Sequence, residues 1–121
     1  MLTPLELDIM KAVWRSHPIT VRDVQDSIRP SRNLAYTTVM TIMDRLHHKG
    51  SLSRTLHLRT HYYEPAINYA DVRDEAVEML IKNFFGSREK LQEFLQGGPS
   101  GMPARIVADS TAATNFDETL L

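Results

Sequence analysis

Between Tyr36 and His48 the sequence YTTVMTIMDRLHH carries two kinds of side chain, out of phase with one another. Val39, Ile42, Met43 and Leu46 recur at helical spacing and claim one face, which leaves Thr37, Thr38, Thr41, Arg45 and His48 on the other. That second row holds short hydroxylated side chains and a guanidinium, and no carboxylate. A threonine hydroxyl bonds to base edges or phosphate, its methyl packs on a thymine methyl, and arginine engages guanine through two parallel hydrogen bonds. Such a row suits the major groove of DNA, and Tyr36, at the start of the same helix, joins the expected contacts. Asp44 lies beside the row and is expected to pair with an arginine such as Arg45 or Arg29.

Arg54 and Arg59 follow on two short segments with strand character. From there they can reach phosphates, contacts that fix register and add salt-dependent affinity without reading sequence. Lys49 and Arg32 are weaker phosphate candidates. Histidines 47, 48, 57 and 61 raise the question of a metal, but neighbours on a helix point roughly 100° apart and no carboxylate stands at ligand spacing. No metal and no cofactor are expected. Glycines occur only at breaks and no nucleophile is arranged with a base, so an enzyme is not expected either.

The elements that must position these residues are marked by their ends. Thr3 is placed to cap a helix over about 4 to 16, with Pro4 in its first turn, Glu6 bonding back to the Thr3 amide, and Leu2 and Leu7 as a hydrophobic staple. His17-Pro18 stops it. Thr20 and Asp23 repeat the cap, Ile19 and Val24 repeat the staple, and a helix over about 21 to 29 ends at Pro30. The third helix, about 35 to 49, stops at Gly50. Beyond Gly50 the period changes to two: Leu52, Arg54 and Leu56 alternate with Ser51, Ser53 and Thr55, and Thr60 to Glu64 returns as a second strand. Three helices and a hairpin predict a mainly α fold with a small β-hairpin, a winged helix-turn-helix over 1–66.

A helical segment over 67–96 follows. Val77, Leu80, Ile81, Phe84, Phe85, Leu91, Phe94 and Leu95 form its apolar face, Gly86 breaks it, and Ser87 caps its second helix. Residues 97–121 are rich in Gly, Pro, Ser, Thr and Ala and are expected to be a disordered tail. The net charge of −1 conceals an asymmetry. Residues 1–65 carry nine Lys/Arg against six Asp/Glu and all five histidines, whereas 66–121 carry five against nine. A basic reader joined to an acidic assembly segment fits this division. No apolar run approaches the roughly 20 residues that span a bilayer, so a cytoplasmic location without membrane insertion is expected.

Leu2-Thr3 with Glu6, Ile9-Met10 and Val13-Trp14, the run from Ala35-Tyr36-Thr37-Thr38-Val39 through Asp44-Arg45-Leu46 to Lys49-Gly50, and Arg59 with His61, Tyr62, Tyr63 and Pro65 together resemble the BlaI/MecI/CopY family of bacterial winged-helix repressors. The resemblance covers about residues 2 to 96. It implies a homodimer on dyad-symmetric operator DNA, with the C-terminal helices as the dimer interface, and a membrane sensor-protease system as a further partner. Four features depart from the family, one being that the polar segment after Gly97 does not look like its final amphipathic helix. The clustered cysteines of the copper-responsive branch are missing, Glu93-Phe94 stands where the β-lactam branch is cleaved between Asn and Phe, and the wing tip reads Leu58-Arg59 without its glycine. The same frame could instead serve as a protein-binding module or a metal- or ligand-responsive regulator, readings that the wing leucines Leu56 and Leu58 and the histidines keep open.

Overall fold

The computed structural model describes residues 1–98. Its elements in order are α1 (Pro4–Arg15), α2 (Val21–Ile28), α3 (Tyr36–His48), β1 (Leu52–His57), β2 (Thr60–Pro65), α4 (Tyr69–Leu80), a π-helical turn Ile81–Phe85, and α5 (Arg88–Leu95). The chain divides into two compact units, Met1–Arg73 and a second beginning at Asp74. The first is a winged helix-turn-helix.

Local chemistry sets the helix boundaries. At α1 the Thr3 hydroxyl accepts from the Glu6 amide at 3.1 Å, and the Glu6 carboxylate accepts from the Thr3 amide at 3.0 Å. Thr20 caps α2 by accepting from the Asp23 amide. No side chain caps α3, which starts at Ala35 in extended conformation. Its entry is fixed from outside instead: Gln25 of α2 donates to the Leu34 carbonyl at 3.0 Å, closing the turn between the two helices.

The core of this unit gathers Ile9, Met10 and Val13 of α1, Val24 and Ile28 of α2, and Val39, Ile42, Met43 and Leu46 of α3, each 6% exposed or less. Leu52 and Tyr63 of the hairpin close it at 2%. The strands pair antiparallel with Arg54 opposite Tyr63 and Leu56 opposite His61. A two-stranded ribbon is marginal alone. This one is fastened by Ile19, in the α1–α2 connection, which exchanges two backbone hydrogen bonds with Tyr63 at 2.8 and 3.0 Å. The two-stranded hairpin is thus pinned to the loop before α2 by an isolated bridge that the sequence alone does not announce. At its tip, between paired His57 and Thr60, Leu58 and Arg59 take φ of 50° and 68°. Both lie in the left-handed region that a two-residue hairpin of this twist requires, at about 1–2 kcal/mol per non-glycine residue.

The first unit extends past the boundary expected at residue 66. The Trp14 indole N–H donates to the Ile67 carbonyl at 3.0 Å, and its ring meets Tyr69 edge-on at 5.2 Å. In the second unit Gly86, at φ 84°, ends the π-helical turn, and Ser87 caps α5 by accepting from the Lys90 amide. Arg88 pairs with Glu78. The expected disordered tail falls, from residue 99 onward, outside the described residues. Among the described residues no helix is long and apolar enough to cross a membrane.

One contact ties the two ends of the trihelical unit together. The carboxylate of Glu6 is buried, and besides capping α1 it accepts from the Lys49 ammonium at 3.1 and 3.3 Å, just past the end of α3. Burial alone would raise the Glu6 pKa. The hydrogen bond from the Thr3 amide and the charges of Lys49 and, farther off, Arg45 outweigh it and hold the pKa below its ordinary 4.5. A carboxylate with a lowered folded-state pKa stabilises the fold above the unfolded value, and that contribution disappears as pH falls through the folded value. Glu6→Gln should therefore cost about 1–2 kcal/mol in denaturant melts at neutral pH. The gap from wild type should narrow once pH drops below 4.5. A gap that is constant across that range would rule out the ion pair as its source.

Candidate nucleic-acid interface

With Val39, Ile42, Met43 and Leu46 turned into the core, the rotation of α3 is settled and its other face is open. Thr37, Thr38, Thr41 and Arg45, all exposed, line one shallow depression together with an edge of Ile42. The structure thus brings together four of the expected contacts. His48 is exposed at the far end of the helix, where its Nδ1–H donates to the Asp44 carbonyl at 2.8 Å. Tyr36 is exposed at the near end, but lines a separate groove with α2 and the hairpin.

Asp44 pairs with neither Arg45 nor Arg29. Its carboxylate accepts from Arg54 of β1 at 3.0 Å, while Arg29 pairs with Asp26 on its own helix. The reason lies in the strand register: Arg54 and buried Tyr63 are cross-strand partners, so Arg54 points back to α3. Its side chain is only 25% exposed. Hydrogen bonding to Tyr63, opposed by burial and reinforced by Asp44, holds its guanidinium more firmly charged than an ordinary arginine. Arg54 therefore braces the hairpin on the helix. Arg59, at the wing tip, is exposed.

Of the nine cations in residues 1–65, four are held by carboxylates: Arg29 by Asp26, Arg32 by Asp8, Lys49 by Glu6 and Arg54 by Asp44. The secondary phosphate candidates Lys49 and Arg32 are both in this group. Among the described residues Lys11, Arg15, Arg22, Arg45 and Arg59 have no carboxylate within ion-pair distance. Arg22, Arg45 and Arg59 belong to the elements around α3. Arg22 and the exposed Met40 line the groove beside Tyr36, and the linear pattern does not single them out. The narrow apolar stripe of α2 does turn Arg22 outward, a signal that becomes useful only once α2 and α3 are known to lie side by side.

No group of three or more His, Asp or Glu among the described residues is placed to hold a metal ion. His47 is engaged instead, donating from Nδ1 to the Leu52 carbonyl at 3.2 Å. In the second unit, Ile81 is buried, Val77, Phe85 and Leu91 are half-buried, and Leu80, Phe84, Phe94 and Leu95 are exposed, Phe84 by 71%. Phe85 packs on Phe94 with ring centroids 5.4 Å apart. The expected dimerisation residues thus include four large apolar side chains that are exposed among the described residues.

Residues 2–111 match the sequence profile of the penicillinase repressor family. The transcriptional regulator BlaI of Mycobacterium tuberculosis is 37% identical over 89 residues, which are 73% of this chain and 62% of that protein. The chain thus spans less than two thirds of the length of that relative. A solution structure of Bacillus licheniformis BlaI, monomeric and in complex with the blaP half-operator, is 27% identical with a TM-score of 0.51 over 59% of this chain and 87% of that one. The solution structure of the DNA-binding domain of the repressor BlaI has the same identity and coverage, with a TM-score of 0.53.

Proposed function

The chain belongs to the penicillinase repressor family, and from that premise we propose that it is a non-enzymatic transcriptional repressor, acting in the cytoplasm as a homodimer on dyad-symmetric operator DNA. The observation that carries the reading is the acid-free row Thr37, Thr38, Thr41 and Arg45, exposed on a helix whose opposite side is locked in the core. In this reading α3 enters the major groove, the threonines and Arg45 meet bases or adjacent backbone, and Arg59 reaches phosphate from the wing tip. Arg54, braced by Asp44, holds the wing at the angle that lets Arg59 do so. The half-operator complex of B. licheniformis BlaI, a relative of the same fold, supports it.

The second unit supports the two-fold assembly. Phe84, Phe94 and Leu95 are exposed in one chain, and a second copy offers the same surface to cover them. Each chain of such a dimer presents one α3 to one half-site, so a palindromic operator matches it.

Selection of duplexes from a randomised pool tests the first part. A preferred sequence should emerge, and Arg45→Ala should erode its advantage over random DNA by about 1–3 kcal/mol. Arg59→Ala should weaken both duplexes alike. Failure to enrich any sequence would sink the repressor reading, and equal losses on both duplexes for both variants would end this division of labour. For the second part, sedimentation of the wild type should give a dimer and Phe84→Asp a monomer. Because Phe84 is exposed, the variant should fold, and unchanged sedimentation would exclude this face as the interface.

A further inference from the structure

The groove that holds Tyr36 is distinct from the depression on α3. Thr20 and Arg22 at the α2 entry, Tyr36 and Met40 of α3, and Arg59 and His61 of the hairpin line it together. None of its lining residues is acidic. The Arg22 guanidinium lies over the Tyr36 ring, 5.8 Å from its centroid, within reach of a cation–π attraction. Neither Arg22 nor Arg59 has a carboxylate within ion-pair distance among the described residues. The His61 imidazole, exposed, carries at least one N–H. Cationic and N–H donors from α2 and the hairpin therefore share one groove with a lining that is partly apolar. A deoxyribose-phosphate strand presents the matching surfaces, anionic oxygens along its edge and an apolar sugar face between them.

We propose that this groove seats the sugar-phosphate backbone of one strand of duplex DNA between α2 and the wing, with Arg22 as a phosphate ligand and Tyr36 as the positioning residue that holds it. Tyr36 then acts through its ring face on Arg22 and not as a base reader. The exposed Met40 packs against sugar, which accounts for an apolar side chain left in water on a helix otherwise divided cleanly between core and polar rows. The assignment rests on the DNA-binding reading above. It adds a contact that is blind to sequence and sits at the opposite end of the exposed face of α3 from Arg45.

The full chain and a labelled random-sequence duplex suffice to test it, with affinity measured between about 50 and 200 mM salt. Arg22→Gln should lower affinity about three- to tenfold and reduce the slope of log affinity against log salt by about one for each bound chain. Tyr36→Leu should reproduce that loss, Tyr36→Phe should retain wild-type binding, and Arg22→Gln combined with Tyr36→Leu should be no weaker than Arg22→Gln alone. Thermal melts by circular dichroism confirm that each variant is folded. A folded Arg22→Gln with the wild-type salt slope would overturn the groove assignment while leaving the DNA-binding reading intact. A Tyr36→Phe as weak as Tyr36→Leu would overturn the positioning role, because the hydroxyl would then be the contact. Absence of duplex binding by the wild type at any of these salt concentrations would remove both readings together.

Discussion

Everything presented to solvent around the third helix depends on the burial of four side chains on its other face. Val39, Ile42, Met43 and Leu46 sit at 0 to 6% exposure among residues from α1, α2 and the hairpin. Packing at interior density leaves such a helix no freedom to roll, since a rotation of one residue would expose a large apolar group and bury a threonine or arginine. Core packing therefore aims the polar row as a consequence of folding. The interface needs no separate device to orient it.

Charge is sorted by the same architecture. Three carboxylates of the first unit are spent on structure: Glu6 secures the end of α3 through Lys49, Asp8 holds Arg32 near the turn before α3, and Asp44 fastens the hairpin through Arg54. With those three acids occupied, the guanidiniums of Arg22, Arg45 and Arg59, which have no carboxylate within ion-pair distance among the described residues, add positive charge beside α3, even though the whole chain has a net charge of −1. A wing tip that keeps Leu58 and Arg59 in left-handed backbone carries a local cost, and it presents one of those guanidiniums beyond the core.

How much of this is legible in the sequence follows from the range of each interaction. The caps at Thr3, Thr20 and Ser87 depend on partners three residues away and can be read directly. The buried and exposed rows of α3 are equally plain, because helical period alone separates them. The partner of Asp44 is not: the linear pattern suggests Arg45 or Arg29, and the strand register supplies Arg54. The Glu6–Lys49 pair spans 43 positions and the Ile19–Tyr63 bridge joins a loop to a strand, so neither leaves a periodic trace. Tyr36 is recognisable as part of the exposed helix, but its neighbour Arg22 is known only once α2 is folded beside it.

The central claim is that folding leaves α3 with one face, and only one, that can meet DNA. A titration of the isotopically labelled chain with a duplex recovered from selection, followed by amide and methyl resonances, tests it most directly. The account predicts the largest shifts at Thr37, Thr38, Thr41 and Arg45, with the groove around Tyr36 next and the outer hairpin face at Thr55 and Tyr62 nearly silent. Shifts centred on Thr55, His57 and Tyr62, with the α3 threonines unmoved, would contradict it.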